Sequence, residues 1–302
     1  MTQLSEVSNQ ADTHSNNYAS IELTVRELPR AYNKTVSVVI PHFDARILLE
    51  RCLFGLTVQS YPSHLMEIII SDDGSASQLC GIKEKFRDRL DLRVLTHERM
   101  GFRLATVRNR GILVSEGEVI LCLDCDIIPV PELIEAHLRW FHVTDKVSTI
   151  GLRKFIDVGV VNPSDVPQLM PELREYPDVP SASNRYLTVD KRLPELRYLK
   201  EHPYPCNCFH GSNIAFRKDS AVGVGLFDTA FDGHWGYEDI EFGYRLYKAW
   251  HYLVFEPQAL GLHQENTVLS AEQRALDGDV NRRKLYERLP GLEQYRREIG
   301  YK

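Results

Sequence analysis

The chain has 302 residues, a formal net charge of −6 and a sequence pI near 6.0, which argue against non-specific nucleic-acid binding. No apolar run reaches the roughly 18 residues of a membrane span, and Met1–Ser20 lacks the basic and apolar parts of a secretory signal. We therefore expect a cytoplasmic protein whose six cysteines are free thiols. The length allows one large α/β core or two smaller ones.

The first half of the chain predicts alternating strands and helices. Residues 1–32 look disordered or peripheral, with a short strand at Ile21–Leu28. Beyond them, apolar runs alternate with apolar residues at helical spacing. This β-α order predicts an α/β fold with right-handed crossovers and a mainly parallel central sheet flanked by helices. The predicted elements are strand Val36–Pro41, helix Ile47–Val58, strand Met66–Ile70, a polar helix ending near Leu90, strand Leu92–Thr96, helix Leu104–Val114 and strand Val119–Leu123.

The second half is less regular. The segment Asp157–Cys206 contains eight prolines and predicts no core strand, although Ser183–Lys200 has partly helical character. Such a segment is either a lid over a substrate or an ordered surface excursion. The predicted elements around it are helix Pro131–Phe141, strand Val147–Phe155, a strand within Phe209–Arg217, helix Ile240–Trp250, strand His251–Pro257, loop Leu260–Asn266 and one or two helices over 270–302.

Two carboxylates follow the buried strand Val119–Leu123, at Asp124 and Asp126. Ligands of open α/β sheets bind beyond the carboxyl ends of the strands. Both side chains would face the same way if the extended conformation continued. Paired hard oxygen ligands suit Mg²⁺ or Mn²⁺ that in turn holds a diphosphate. An acidic turn ending a strand is the alternative.

The pair Asp72-Asp73 follows the predicted strand Met66–Ile70. It is either a helix-entry turn, because Asp is a good cap, or an acceptor for the N3–H of a uracil ring. Pro41-His-Phe-Asp44 ends the first strand beside it, and Phe43 offers an aromatic wall.

Trp235-Gly-Tyr-Glu-Asp239 places an indole and two carboxylates at the entrance to a helix. An indole packs against the apolar face of a sugar, and the carboxylates accept hydrogen bonds from hydroxyls. Asp239, in the first helical turn, would be kept ionised by the helix dipole and would suit a general base for a hydroxyl nucleophile. A capped helix with a core tryptophan explains only part of this cluster.

By their spacing, four cysteines could supply the thiolates of a zinc site, namely Cys122, Cys125, Cys206 and Cys208. Cys122 and Cys125 differ by an odd number along a strand, so they should point to opposite faces. We therefore expect small buried hydrophobes instead, and the same holds for Cys206 and Cys208.

Leu123-Asp-Cys-Asp126, Phe209–Phe216, Phe227–Arg245 and His263-Gln264 together resemble family 2 glycosyltransferases, which have the GT-A fold. The resemblance is strongest to the N-acetylhexosaminyltransferase domains of bacterial chondroitin and hyaluronan synthases, and it covers Val36 to Asn266. It implies an inverting enzyme that moves a sugar from a UDP-sugar to a hydroxyl of a saccharide or glycosylated small molecule, with Mn²⁺ or Mg²⁺ as cofactor. N-acetylhexosamine is the first choice of sugar, and galactose or glucose the second.

Residue roles follow from this resemblance. It implies that Pro41, Phe43 and Asp73 hold the uridine, that Asp124 contacts the ribose or donor sugar, and that Asp126 and His263 ligate the metal. It further implies that Trp235 and Glu238 line the sugar site, that Asp239 is the base, and that Asn213 hydrogen-bonds the donor sugar or the acceptor. Arg103 and Arg108 would neutralise the diphosphate, although both arginines could simply lie on a helix surface.

Two positions depart from the family pattern. Asp44 stands where asparagine is common, and Tyr237 stands where a second glycine is common, which would add bulk beside the sugar. Within one GT-A domain we expect a nucleotide-binding half at 33–145, an acceptor half at 146–268 and a helical tail at 269–302. The competing functions are a nucleotide-sugar-binding protein without turnover and a nucleotidyltransferase, which would need a Gly-rich basic loop that is not seen near Pro41.

Overall fold

A computed structural model describes residues 15–76, 79–179, 190–264 and 271–300, with backbone only for 271–276. Its centre is an eight-stranded sheet with strand order β3-β2-β1-β4-β7-β6-β8-β5. Six strands share one direction, while β7 and β5 run against their neighbours. The strands are β1 Val36–His42, β2 Met66–Asp72, β3 Asp91–Thr96, β4 Val119–Leu123, β5 Ile127–Pro129, β6 Val147–Ile156, β7 Asn213–Arg217 and β8 Tyr252–Gln264.

Helices cover both faces of this sheet. The described α-helices are α1 Ala19–Glu27, α2 Arg46–Leu56, α3 Ile82–Phe86, α4 Leu104–Val114, α5 Leu133–Leu138, α6 Val166–Glu175, α7 Leu193–Leu196, α8 Lys218–Gly223, α9 Glu238–Lys248, α10 Ala271–Arg288 and α11 Pro290–Glu298. Short 3₁₀ turns lie at Ser63–Leu65, Arg139–His142, Pro163–Asp165, Pro205–Cys208 and Thr229–Phe231. Within the described ranges no helix is both long and apolar enough for a membrane span.

Alternation along the central strands builds two separate cores. Val38 and Ile40 of β1 pack on the side of α2, α3, α5 and α6, whereas Val39 packs on the side of α4, α9, α10 and α11. In the same way, Cys122 belongs to the second core and Cys125 packs against the first. The predicted opposite directions of these two cysteines are confirmed, and all six cysteines are free. The result is a three-layer α/β/α arrangement, as the period-2 pattern of buried strands requires.

From Val36 onwards the predicted strands and helices occur in the predicted order, although β5 and α8 were not predicted. Two predicted elements need correction. Residues 19–27 form helix α1 and not a strand. Strand β8 does not end at Pro257 but continues to Gln264, so the predicted loop at Leu260 is strand, and residues 265 and 266 lie outside the described ranges. A register shift opposite Gly151 and Leu152 accommodates the proline, since Glu256 pairs with Gly151 and Leu260 with Leu152.

The proline-rich segment is partly built into the core. Val166, Met170 and Leu173 of α6 are buried against the first core, so 157–179 is an ordered excursion with a structural face. Of the predicted helical stretch 183–200, residues 193–196 form α7, and 180–189 lie outside the described ranges.

Candidate active site

The predicted site segments meet at one edge of the sheet. Parallel strands β1, β2 and β4 end there, with Asp72 and Asp124 at their carboxyl ends. Antiparallel β7 begins at this edge, because Leu123 pairs with Asn213, so the loop His210–Ser212 enters it as well. The pairing of Ile127 with His263 brings the end of β8 to the same place.

The first part of the crevice is formed by the ends of β1 and β2. His42 and Asp72 are opposite each other in the ladder, and His42 Nδ1 lies 2.7 Å from the carboxylate of Asp72. The backbone N–H of Ala45 donates to the other ring nitrogen of His42, so Nδ1 carries the proton. Phe43 is exposed, with the Arg99 guanidinium 5.0 Å from its ring centre. This open ring is an aromatic wall at the mouth of the crevice.

Pro41 and Asp73 differ in how much of each is open to a ligand. Pro41 is buried at the end of β1, so its ring offers less surface than Phe43. Arg103 donates to Asp73 Oδ1 through Nη2 at 2.6 Å and Nε at 3.0 Å, and its backbone N–H donates to Oδ2 at 3.2 Å. The guanidinium predicted for the diphosphate therefore holds Asp73 in place, and the two residues act as one unit.

Arg108 links two carboxylates across the site. Its Nη2 donates to Asp124 Oδ1 at 2.9 Å and its Nη1 to Glu238 Oε1 at 2.6 Å, although the two partners are far apart in sequence. The side chain is fully buried, which opposes its charge, but the two carboxylates raise its pKa. A Cβ at Gly211 would lie 2.7 Å from the Arg108 guanidinium carbon, so only glycine leaves room for it. Arg108 is thus neither a surface residue nor a group open to a diphosphate.

Glu238 and Asp239 begin α9 and have contrasting surroundings. Burial, followed by the charge of Asp239, raises the pKa of Glu238 to about 7, with Arg108 opposing the change. Asp239 is half-buried and its carboxylate accepts from the backbone N–H groups of Gly211 and Ile240, both at 2.8 Å. These bonds fix the direction of a carboxylate in the first helical turn. This geometry suits a general base.

Asp126 and His263 form the arrangement that suits a metal ion. Asp124–Ile127 is a turn closed by the Ile127 N–H to Asp124 O bond, so the expected extended conformation is wrong and the two aspartates face different partners. Asp126 Oδ2 lies 3.5 Å from His263 Nε2. Burial raises the pKa of Asp126, helped by Asp124 and opposed by His263.

The second oxygen of Asp126 gives a test of whether these residues fit a cation. Within the described ranges, Asp126 Oδ1 is buried without a hydrogen-bond partner, which is uncommon for a buried polar atom. A cation with ligand bonds of about 2.1 Å fits between a carboxylate oxygen and an imidazole nitrogen at this spacing.

Asn213 lies outside the crevice. It is fully buried, its Oδ1 lies 2.9 Å from His137 Nε2, and its Nδ2 donates to the carbonyls of Leu152 and Ala259. Burial lowers the pKa of His137 to about 4, so this imidazole is neutral and donates to Asn213. The amide has no group left for a sugar. We therefore correct its predicted role to one of joining β6, β7 and β8.

The structure adds Arg153 and His210, which the sequence reasoning missed. Arg153 on β6 is held by Asp190, donates to Ser212 Oγ at 3.2 Å, and has Nη2 3.3 Å from His210 Nδ1. Burial, followed by the charge of Arg153, lowers the pKa of His210 well below its usual range. The available signals were an arginine within an apolar strand and a histidine just before Gly211.

The loop leading into α9 has a left-handed turn at its end. Gly236 and Tyr237 have φ of 82° and 73°. Glycine adopts such values freely, which explains why a second glycine suits the position of Tyr237. The tyrosine ring packs against the second core and lies 5.5 Å from the Arg296 guanidinium. The added bulk therefore packs against the C-terminal helices.

The family model for glycosyl transferase family 2 matches residues 37–222, more than half of the chain. The chain belongs to glycosyl transferase family 2. It is 29% identical over 248 residues to a hyaluronan synthase from Pasteurella multocida, covering 78% of this chain and 25% of the relative. It is also 29% identical over 278 residues to a chondroitin synthase from Escherichia coli, covering 87% of this chain and 40% of the relative. The chain thus spans less than half the length of both synthases.

A solved structure of GalNAc-T7 with UDP, GalNAc and Mn²⁺ resembles the chain with a TM-score of 0.58 and 19% identity. The match covers 78% of this chain and 44% of that one. Together with the family match, this likeness confirms the predicted GT-A fold.

Proposed function

We propose that the chain is an inverting, metal-dependent glycosyltransferase that moves a sugar from a UDP-sugar to a hydroxyl of a saccharide or glycosylated small molecule. N-acetylhexosamine is the favoured sugar, because the Pasteurella and E. coli relatives are hyaluronan and chondroitin synthases. The single observation that carries the proposal is the buried, unpartnered Asp126 Oδ1 within the described part of the chain, beside His263 and at the same edge as Asp239.

Each side chain has a defined task in this proposal. Phe43 covers one face of the uracil, and Asp73, fixed by Arg103, accepts from its N3–H. Asp124, held by Arg108, contacts the ribose or donor sugar. Residues 33–145 thereby form the nucleotide-binding half of the domain, and 146–268 the acceptor half.

Asp126 and His263 would hold the cation, whose chemistry at this place is Lewis-acid stabilisation of negative charge on the diphosphate. Trp235 packs on a sugar ring. Asp239 takes the proton of the acceptor hydroxyl, so the hydroxyl attacks the anomeric carbon from the side opposite the diphosphate.

A nucleotide-sugar-binding protein without turnover is the competing function. It would need the uridine wall and the cation ligands, but not a carboxylate held by two backbone N–H groups across the crevice. The fixed direction of Asp239 therefore favours the enzyme.

The test is a screen of UDP-sugars for metal-dependent release of UDP in the presence of saccharide acceptors. We expect release with Mn²⁺, none with excess chelator, and recovery when Mn²⁺ is added back. Asp126→Ala should bind UDP far more weakly in the presence of Mn²⁺. Asp145→Ala is the matched control, because Asp145 pairs with Arg217 at the opposite end of the sheet. Full activity in excess chelator would exclude the metal-dependent mechanism.

A further inference from the structure

The amide of Asn281 on α10 holds the loop that precedes the proposed catalytic helix. Its Nδ2 lies 2.9 Å from the carbonyl oxygen of Phe231, 3.0 Å from that of His234 and 2.9 Å from that of Gly236, so its two N–H groups are shared among three acceptors. Three carbonyls around one atom identify that atom as the nitrogen. Asn281 is fully buried, so water does not substitute for these bonds.

The opposite end of the same loop is tied to α4. The carboxylate of Asp232 accepts from the backbone N–H groups of Ala105 and Thr106 and from the Thr106 hydroxyl. The N–H of Gly233 donates to Phe102 O at 2.7 Å. The loop 231–237 is therefore clamped between two helices, and α4 carries Arg108, which reaches Glu238.

The rings of this loop also contact the C-terminal helices. A Cβ at Gly278 would lie 3.7 Å from the rings of Trp235 and Tyr237, so the backbone of α10 passes close to both. The guanidinium of Arg296, on α11, lies over the Tyr237 ring. Polar and aromatic contacts from the tail thus converge on the residues just before Glu238 and Asp239.

We propose that Asn281 is a positioning residue for transfer: it sets the conformation of 231–237 and thereby the positions of Trp235 and Asp239. The charged tail is then part of the site's support and more than a solvated surface. This inference rests on the proposed glycosyl transfer, because the group being positioned is its base. An error of about 1 Å in such a group costs on the order of 10²-fold in rate.

The test compares Asn281→Leu and Asn281→Ala with wild type in the UDP-release assay, well below their melting temperatures. Leucine keeps the branched shape and removes both donors. We expect kcat to fall on the order of 10²-fold, with the Kd of UDP in Mn²⁺ within about twofold of wild type, since the uridine side is untouched. Amide hydrogen exchange in 231–240 should become faster in both variants.

Two variants on α10 separate positioning from general loss of stability. Leu285→Ala removes a fully buried side chain from the next turn of the helix, and Arg283→Ala removes an exposed one. Leu285→Ala should lower the melting temperature yet keep kcat near wild type, and Arg283→Ala should change neither. Wild-type kcat in Asn281→Leu, or an equal loss in Leu285→Ala, would overturn the inference. If wild type transfers no sugar at all, the proposed function fails, while the exchange comparison still decides whether Asn281 holds the loop.

Discussion

Replacing Glu238 by Gln should change how stability depends on pH. The carboxylate is buried against Arg108 and beside Asp239. Burial and the neighbouring Asp239 raise its pKa from 4.5 to about 7. The amide side chain introduced by Glu238→Gln keeps an oxygen for the Arg108 bond but cannot ionise.

The sign and the size follow from proton linkage. Because the folded-state pKa lies above the unfolded one, the stability that Glu238 contributes is fully present below about pH 4.5 and is lost as the pH rises through about 7. The difference between 4.5 and about 7 corresponds to about 3 kcal/mol, since each pKa unit is worth about 1.4 kcal/mol. The Glu238→Gln variant does not undergo this loss, so its advantage over wild type should grow by about that amount towards pH 8.

Urea unfolding of both proteins at steps from pH 4.5 to 8 measures this difference. Glu50→Gln is the control: burial opposes ionisation of Glu50, but hydrogen bonds from Lys85 and Arg46 lower its pKa. Its contribution is lost only as the pH falls below the ordinary glutamate range, so that variant should run parallel to wild type from pH 5 to 8. Parallel curves for Glu238→Gln and wild type over the same range would refute the assigned environment of Glu238.

Asp239→Asn keeps the size of the side chain but removes its basicity, so kcat should fall about 10²–10⁴-fold, while UDP binding measured by calorimetry should be unchanged. Near-normal turnover, or a product that keeps the donor's α configuration, would contradict the role of Asp239 as base. Gly211→Ala puts a Cβ 2.7 Å from the Arg108 guanidinium, so it should lower the free energy of unfolding in urea by about 1–3 kcal/mol and abolish transfer. Gly223→Ala is the control, because a Cβ there has nothing within 4 Å, and it should change neither stability nor transfer. The isolated chain should add a single sugar per acceptor, and long two-sugar repeats in mass spectra would count against it.

The sequence predicts the buried parallel strands well because their continuous apolar runs have one dominant cause, which is burial on both faces of the sheet. Val38, Val39 and Ile40 are apolar on both faces since helices cover both. The apolar residues of 19–27 did not form such a continuous run, and their spacing was interpreted as a strand although the segment is a helix. Leu23 is 62% exposed whereas Val25 is 1% exposed, so the apolar residues follow a helical face and do not alternate. The bond between Glu22 and Arg26, four residues apart, was the local sign of a helix.

The candidate site was predictable where a motif lies on a single element. Asp124 and Asp126 both lie at the edge of the sheet to which the topology rule assigned them. The link from Arg108 to Glu238 was not predictable, because an arginine within a helix usually faces solvent and its partner is 130 residues away. The placement of His263 in a strand depended on a bulge after Glu256, which tolerates a proline that otherwise marks a strand end.

The cap on α4 has a consequence for how phosphate is held. A helix N-terminus is a ready anion site because its first N–H groups are unpaired. In this protein the carboxylate of Asp232 already receives those of Ala105 and Thr106. In the proposed complex, the negative charge of the diphosphate would then be balanced mainly by the cation that we place at Asp126. Without divalent cations, UDP should bind no better than uridine. The contribution of the phosphates to nucleotide affinity would then depend on the concentration of divalent cations.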